Sequence, residues 1–275
     1  MYKRIKQYSF YSSIGVLSAL AMLSLFLIVG YIVINGISQV TLEFLTQEPS
    51  NMGKDGGVLS VIIGTLYLTF FAILVATPIG VAAAIFFTEY SAGKKWVSIV
   101  RFFTEILAGI PSIIFGLFGF SFFVVFLGFG WSILSGGLTL AMMVLPTLIR
   151  ATEESLKTVP MSYREGSLSL GATKLQTIKK VIIPSCLPGI LTGLILGIGR
   201  AIGETAAVIL TCGSNLKMPT SLFDSTRTLS VHLYTLSSEG ISKDKTFATA
   251  TLLIIIVLVI NTVANSITSK YIIKS

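Results

Sequence analysis

Between Ile106 and Ile149 the chain carries no charged residue in 44 consecutive positions. As α-helix that stretch would reach about 66 Å, roughly twice the hydrocarbon thickness of a bilayer. It therefore reads as two membrane crossings. Gly128-Phe129-Gly130-Trp131 supplies the turn between them, with Trp131 at an interface. Composition agrees. Charged residues make up 12% of the chain and hydrophobic ones 53%, with a mean hydropathy of +0.87. A soluble domain carries about 25% charge. A soluble enzyme, a disordered tail and a collagenous chain are excluded. No ten-residue alternating segments occur, so the fold class is an all-α integral membrane protein rather than a β-barrel.

Other charge-free windows predict spans at about 14–36, 58–86, 188–212 and 247–268, giving six in all. Lys3, Arg4 and Lys6 precede the first span as in a signal peptide. That run is too long for an h-region and lacks a small-x-small cleavage site, so it reads as a retained span. With both termini cytoplasmic, 14 Lys and Arg residues fall inside, Lys270 and Lys274 among them, and five fall outside. This is the positive-inside bias. The net charge of +8 thus belongs to cytoplasmic loops, with no call for nucleic acid. Residues 1–57 form an N-terminal segment with the first span and an external loop. Residues 58–275 form the core, interrupted by a basic cytoplasmic loop at 150–187 and an external loop at 213–246.

Two cysteines make no disulfide framework. Cys186 and Cys212 fall near opposite ends of one expected helix, about 39 Å apart. The lone His232, in the external loop, has no Cys or His at ligand spacing, so no metal site is expected.

The loop at 150–187 is the most informative segment. A short helix is expected from about Ser162, a break at Gly171, then a second amphipathic helix. Pro184 and Pro188 bracket the entry to span five. Leu168, Leu175, Ile178, Val181 and Ile182 form its apolar stripe, and Lys174, Lys179 and Lys180 its basic face. Such a helix either lies on anionic lipid or docks into a partner's groove.

Glu165, Gly166 and Ser167, then Gly171 four positions on, then Val181, Ile183 and Pro184, resemble the EAA loop of importer-type ABC transporter permeases. Gly166 and Ser167 stand where that pattern has two alanines. Leu107–Gly116 and Gly199–Ala206, with Thr88-Glu89-Tyr90 closing residues 56–90, are similar to signatures of phosphate-transport permeases. The resemblance runs over about 56–268, and Leu45–Pro49 before Gly56-Gly57 looks more PstA-like than PstC-like. It implies a MetI-like bundle in a bacterial or archaeal cytoplasmic membrane. It also implies a PstC-like permease partner, two copies of a PstB-like ATPase bound at the EAA loop, and a PstS-like phosphate-binding protein delivering phosphate. ATP and Mg would sit on the ATPase, with no cofactor on this chain.

Arg200 and Glu204 are the ionisable groups expected deep in a span, on one face of one helix at i, i+4. They are either a structural ion pair or the lining of a polar pathway. Arginine's permanently charged fork suits an oxyanion. Glu204 could accept a proton from phosphate, which carries one at neutral pH where sulfate does not. Ser112 is a third candidate for the pathway, though helix serines commonly bond their own backbone. Gly189, Gly193, Gly197 and Ala201 form a small-residue stripe suited to close helix packing. Gly109, Pro111 and Gly116, and Pro78 with Gly80, are candidate kinks. No G-x-x-x-x-G-K-[ST] occurs and no nucleophile–base pair is evident, so the chain is not expected to be an enzyme. An ion-coupled carrier or channel built on Arg200 and Glu204 is the alternative; it would have no ATPase to dock.

Overall fold

The computed structural model describes residues 2–91 and 93–272; Lys274, counted among the inner cations, lies outside the described residues. The chain is a bundle of helices. They are α1 Tyr2–Gly36, α2 Leu42–Thr46, α3 Leu59–Ile85, α4 Lys95–Gly109, α5 Ser112–Gly119, α6 Ile133–Thr158, α7 Met161–Ser169, α8 Lys174–Thr177, α9 Ile183–Ile202, α10 Ala206–Thr211, α11 Leu229–Ser238 and α12 Lys243–Ile272. π-helical turns extend α3 through Tyr90 and α5 through Phe126, and another joins α8 to α9. A hairpin of β1 Pro49–Ser50 and β2 Asp55–Gly56 follows α2.

Among the described residues, five helices are long and apolar enough to cross a membrane: Ile14–Gln39, Leu59–Tyr90, Ile133–Thr158, Lys174–Ile202 and Lys243–Ser266. A bent pair, α4 and the extended α5, passes the same test together, with an angle of 101° between its halves, and counted as one span it makes a sixth. The bend falls among the expected kink residues, at Pro111, but the helix before it starts at Lys95 rather than near Ile106. Ile110 and Pro111 are both extended (ψ 134° and 138°). Proline disfavours helix at the residue before it, and no charge pattern reports that. The Gly128–Trp131 turn is where it was expected. Gly128 and Gly130 have φ of +69° and +65°. Ser132 then caps α6, its side chain accepting from the Ser135 amide.

α3, α6 and α9 form the centre. Leu68, Ala72 and Ala76 of α3 bury against Leu140, Val144 and Leu148 of α6. The small-residue stripe of α9 faces α6: a Cβ on Gly193 would come within 2.6 Å of Ala151, and one on Gly197 within 2.7 Å of Val144. α5 leans on α10 the same way, with Gly116 against Ala207. Pro78 is accommodated inside an unbroken α3. α1 packs on α12 through Tyr31 and Phe247, whose rings meet edge to face at 5.7 Å.

A second cluster, Ala84, Leu156, Ile178, Ile182 and Cys186, underlies the loop end of the bundle. A third, Phe44, Val61, Leu229 and Leu252, closes the opposite end. There α11 folds inward. His232 is 1% exposed, packed over Gly53 beside Arg227, whose Nη1 lies 3.5 Å from its Nδ1. Burial first, then the Arg227 charge, push the His232 pKa down to about 4. The residue is thus an internal packing group rather than an exposed loop histidine.

Candidate functional site: a docking loop and a broken helix

At the loop end, α7 starts one residue before the expected Ser162, and Gly171 has φ +83° in open space. The glycine is there for its backbone, since a side chain would meet nothing. Thr173 and Gln176 form a capping box that starts α8. The two helices are joined by a hydrogen bond of 2.9 Å between the Ser167 and Thr177 hydroxyls. The expected apolar stripe divides. Ile178 and Ile182 are buried, while Leu168 and Leu175 are exposed and Leu170 is 90% exposed at the tip. Glu165 and Gly166 are exposed, Val181 and Ile183 are half-buried, and Pro184 is exposed in the first turn of α9. Lys179 and Lys180 face outward, whereas Lys174 folds back over the Tyr90 ring at 4.7 Å.

Two ion pairs here, each with a buried carboxylate, were not legible in the sequence. Arg164 meets Glu89 at 2.7 Å, and Arg101 of α4 meets Glu153 of α6 at 2.9 Å. Glu153 is 5% exposed. Arg200 and Glu204 are therefore not the only ionisable groups held inside the bundle. The partners are separated by 75 and 52 residues, so no local pattern links them. The only signal was that Glu89, Arg101 and Glu153 border apolar runs.

The second candidate region differs from expectation. Span five does not run unbroken from 188 to 212. α9 ends at Ile202, residues 203–205 are non-helical, and α10 starts at Ala206. Arg200 lies in the last turn of α9, where the helix dipole favours a cation. Glu204 lies in the break, and its carboxylate accepts from the Ala207 amide at 3.1 Å. The two do not form an ion pair; the ion pairs among the described residues lie elsewhere. Nor do Cys186 and Cys212 share one helix; both are buried free thiols. A helix ending mid-bundle exposes carbonyls and amides that need partners. Glu204 meets part of that need with its own side chain, and its backbone oxygen accepts from Ser230 Oγ of α11 at 2.6 Å. Gly199 and Gly203 were the available sequence signal of the break.

Arg200 is half-buried, and its one hydrogen bond is a long one, 3.5 Å from Nη1 to Thr147 Oγ1 of α6. Most of its donor fork is thus uncommitted. Thr147, beside Pro146, was not singled out in the sequence. Ser112 stands half-buried at the start of α5, with no hydrogen bond to Arg200 or Glu204. The structure unites Arg200 with Thr147 and leaves Ser112 apart from that contact.

Residues 76–270 match the family described as binding-protein-dependent transport system inner membrane component. The chain is 35% identical over 227 residues to the probable ABC transporter permease protein YqgI of Bacillus subtilis (strain 168), covering 78% of this chain and 77% of that protein. It is 35% identical over 188 residues to the phosphate transport system permease protein PstA of Xylella fastidiosa (strain Temecula1 / ATCC 700964), covering 68% of this chain and 66% of PstA. The match thus spans just under two thirds of that PstA. Among solved structures, a bacterial alginate ABC transporter in complex with its alginate-bound periplasmic protein has a chain similar in fold. The TM-score is 0.69 at 17% identity, over 98% of this chain and 97% of that one.

Proposed function

The chain belongs to the family of binding-protein-dependent transport system inner membrane components, and on that premise we propose that it is the PstA-type permease subunit of an ATP-driven phosphate importer. It crosses the membrane and does not itself hydrolyse ATP. It forms the translocation pathway with a PstC-like permease, rests on two copies of a PstB-like ATPase that hold ATP and Mg, and receives phosphate from a PstS-like binding protein.

The observation that carries this reading is the loop at 161–184. Apolar side chains are costly to leave bare unless a partner covers them. Leu168, Leu170 and Leu175 stand exposed on a loop braced by a capping box and a hydroxyl–hydroxyl bond. That is a preformed knob for a groove. An ion-coupled carrier has no use for it.

Phosphate passes the break in α9. There Arg200 offers its fork beside Thr147, and Glu204 offers a free carboxylate oxygen as acceptor for the proton phosphate carries. Uptake by the complete complex in proteoliposomes tests the reading. ATP-dependent accumulation of phosphate by the wild type is expected, and its absence overturns the assignment. Both termini lie in the cytoplasm, following the 14-to-5 charge bias. In a background lacking Cys186 and Cys212, Ser221→Cys labels from outside intact spheroplasts and Thr173→Cys labels only after lysis. The reverse pattern inverts the orientation.

A further inference from the structure

Glu89 is the point where the structure ties both helices of the docking loop to the membrane bundle. Its carboxylate accepts from Nη2 of Arg164 at 2.7 Å and from Nε at 3.1 Å. Its backbone oxygen accepts from Nζ of Lys174. Arg164 belongs to α7 and Lys174 opens α8, on either side of the Gly171 break. One residue at the end of the extended α3 therefore grips the loop on both flanks.

Arg164 completes the junction. Its Nη1 donates to the Val159 carbonyl at 2.7 Å and its Nη2 to the Leu156 carbonyl at 3.0 Å. Those carbonyls belong to the end of α6, where helix geometry leaves no intrahelical donor. A single guanidinium thus fastens α7, α6 and α3 together, using the planar fork that lysine lacks. From Leu156 to Thr147, the residue that meets Arg200, is nine positions of α6, about 14 Å of continuous helix.

We propose that Glu89 is a positioning residue for transport. It makes α3 and α6 follow the docking loop, so that movement imposed on the loop arrives at the Thr147–Arg200 contact. This rests on the reading of the chain as an ATP-driven permease. The binding energy of Glu89 serves to transmit displacement rather than to hold the ATPase, because its side chain, 8% exposed, is taken up by Arg164, whereas Leu168, Leu170 and Leu175 stand exposed. Removing it should let the loop move without the bundle.

The test uses the complete complex in proteoliposomes, measuring ATP hydrolysis and phosphate uptake together. Glu89→Gln keeps the shape and removes the charge. Hydrolysis is expected to stay within about twofold of wild type while ATP consumed per phosphate imported rises roughly tenfold, within the range that coupling residues command. Arg164→Lys, which keeps the charge and loses the fork, should shift the ratio in the same direction by less. Exchanging the charges, Glu89→Arg with Arg164→Glu, should recover part of the coupling. If hydrolysis and uptake fall in proportion in the assembled variants, or the ratio does not move, the proposal is overturned and the pair only holds the fold. If Glu89→Gln does not assemble, the Arg164→Lys ratio decides in the same way. A wild-type complex that hydrolyses ATP and imports no phosphate would instead defeat the underlying reading, which separates the two failures.

Discussion

The two polar regions of the bundle are built on opposite plans. At the loop end, Arg164 spends its donors on Glu89 and on two helix-terminal carbonyls, all half-buried or deeper. At the break in α9, Arg200 has one long hydrogen bond and Glu204 uses one carboxylate oxygen on a single amide. A saturated guanidinium holds neighbours in place; an unsaturated one is ready to meet a ligand that brings its own acceptors. The same side chain thus acts as a rivet in one place and as an open hand in the other. Stability should be concentrated at the first and transport chemistry at the second.

The hardest blow to stability is expected from Arg164→Ala. It strands Glu89 and two carbonyls in a half-buried site, and breaking a buried pair from one side costs about 3–5 kcal/mol. Thermal unfolding of the purified chain in detergent should show a large loss. A small shift would mean that the junction is not saturated as described.

Next comes the histidine at the opposite end. His232 has a folded pKa of about 4 against an ordinary 6.5, so the unfolded chain binds its proton first. Stability from this site is whole above pH 6.5 and is lost as pH falls from 6.5 toward 4. The loss amounts to about 3 kcal/mol at the lower limit. A variant with His232→Gln should lack this slope between pH 6.5 and 4, read as the midpoint temperature against pH. Equal slopes in both proteins would remove the buried, neutral histidine from the account.

Smaller still is Gly171→Val. A β-branched residue at φ +83° is strained by about 1–2 kcal/mol. Because the strain sits in an exposed loop, the bundle should unfold nearly as before while less ATPase co-purifies. Undiminished ATPase recovery would show that the bend at 171 is not needed for docking.

The smallest stability change belongs to Arg200→Gln, and it sharpens the comparison most. With no ion pair to break, the midpoint should move little, within the roughly 0.5 kcal/mol of ordinary surface substitutions. Phosphate uptake should nevertheless fall about 10- to 100-fold, the worth of a hydrogen bond to a charged group. Arg200→Lys should retain an intermediate rate. Replacing Glu204 with Gln as well should not restore transport. Recovery in that double variant would turn the open hand back into a structural pair.

Parts of this molecule are decided by neighbours along the chain, and those were legible. Membrane crossings follow from uninterrupted apolar windows. The turn at Gly128 and Gly130 and the bend at Gly171 follow from residues that tolerate positive φ. The loop pattern of Glu165, Gly166, Ser167, Gly171, Val181, Ile183 and Pro184 could be read because its spacing lies within twenty residues, and docking is the role proposed for it. What the sequence did not disclose depends on partners brought from afar. Ending α9 at Ile202 needs, besides the local bond of the Glu204 carboxylate to the Ala207 amide, a distant one: Ser230, 26 residues beyond Glu204, donates to the Glu204 carbonyl. Burying Glu89 and Glu153 is tolerable only because Arg164 and Arg101 arrive from other helices. A backbone group or charge taken out of water must find its counterpart in space. The sequence alone determined which segments enter the membrane and where the loop bends, because hydropathy and φ preference are local; only the tertiary structure decided which helices could afford to break and which charges could be buried.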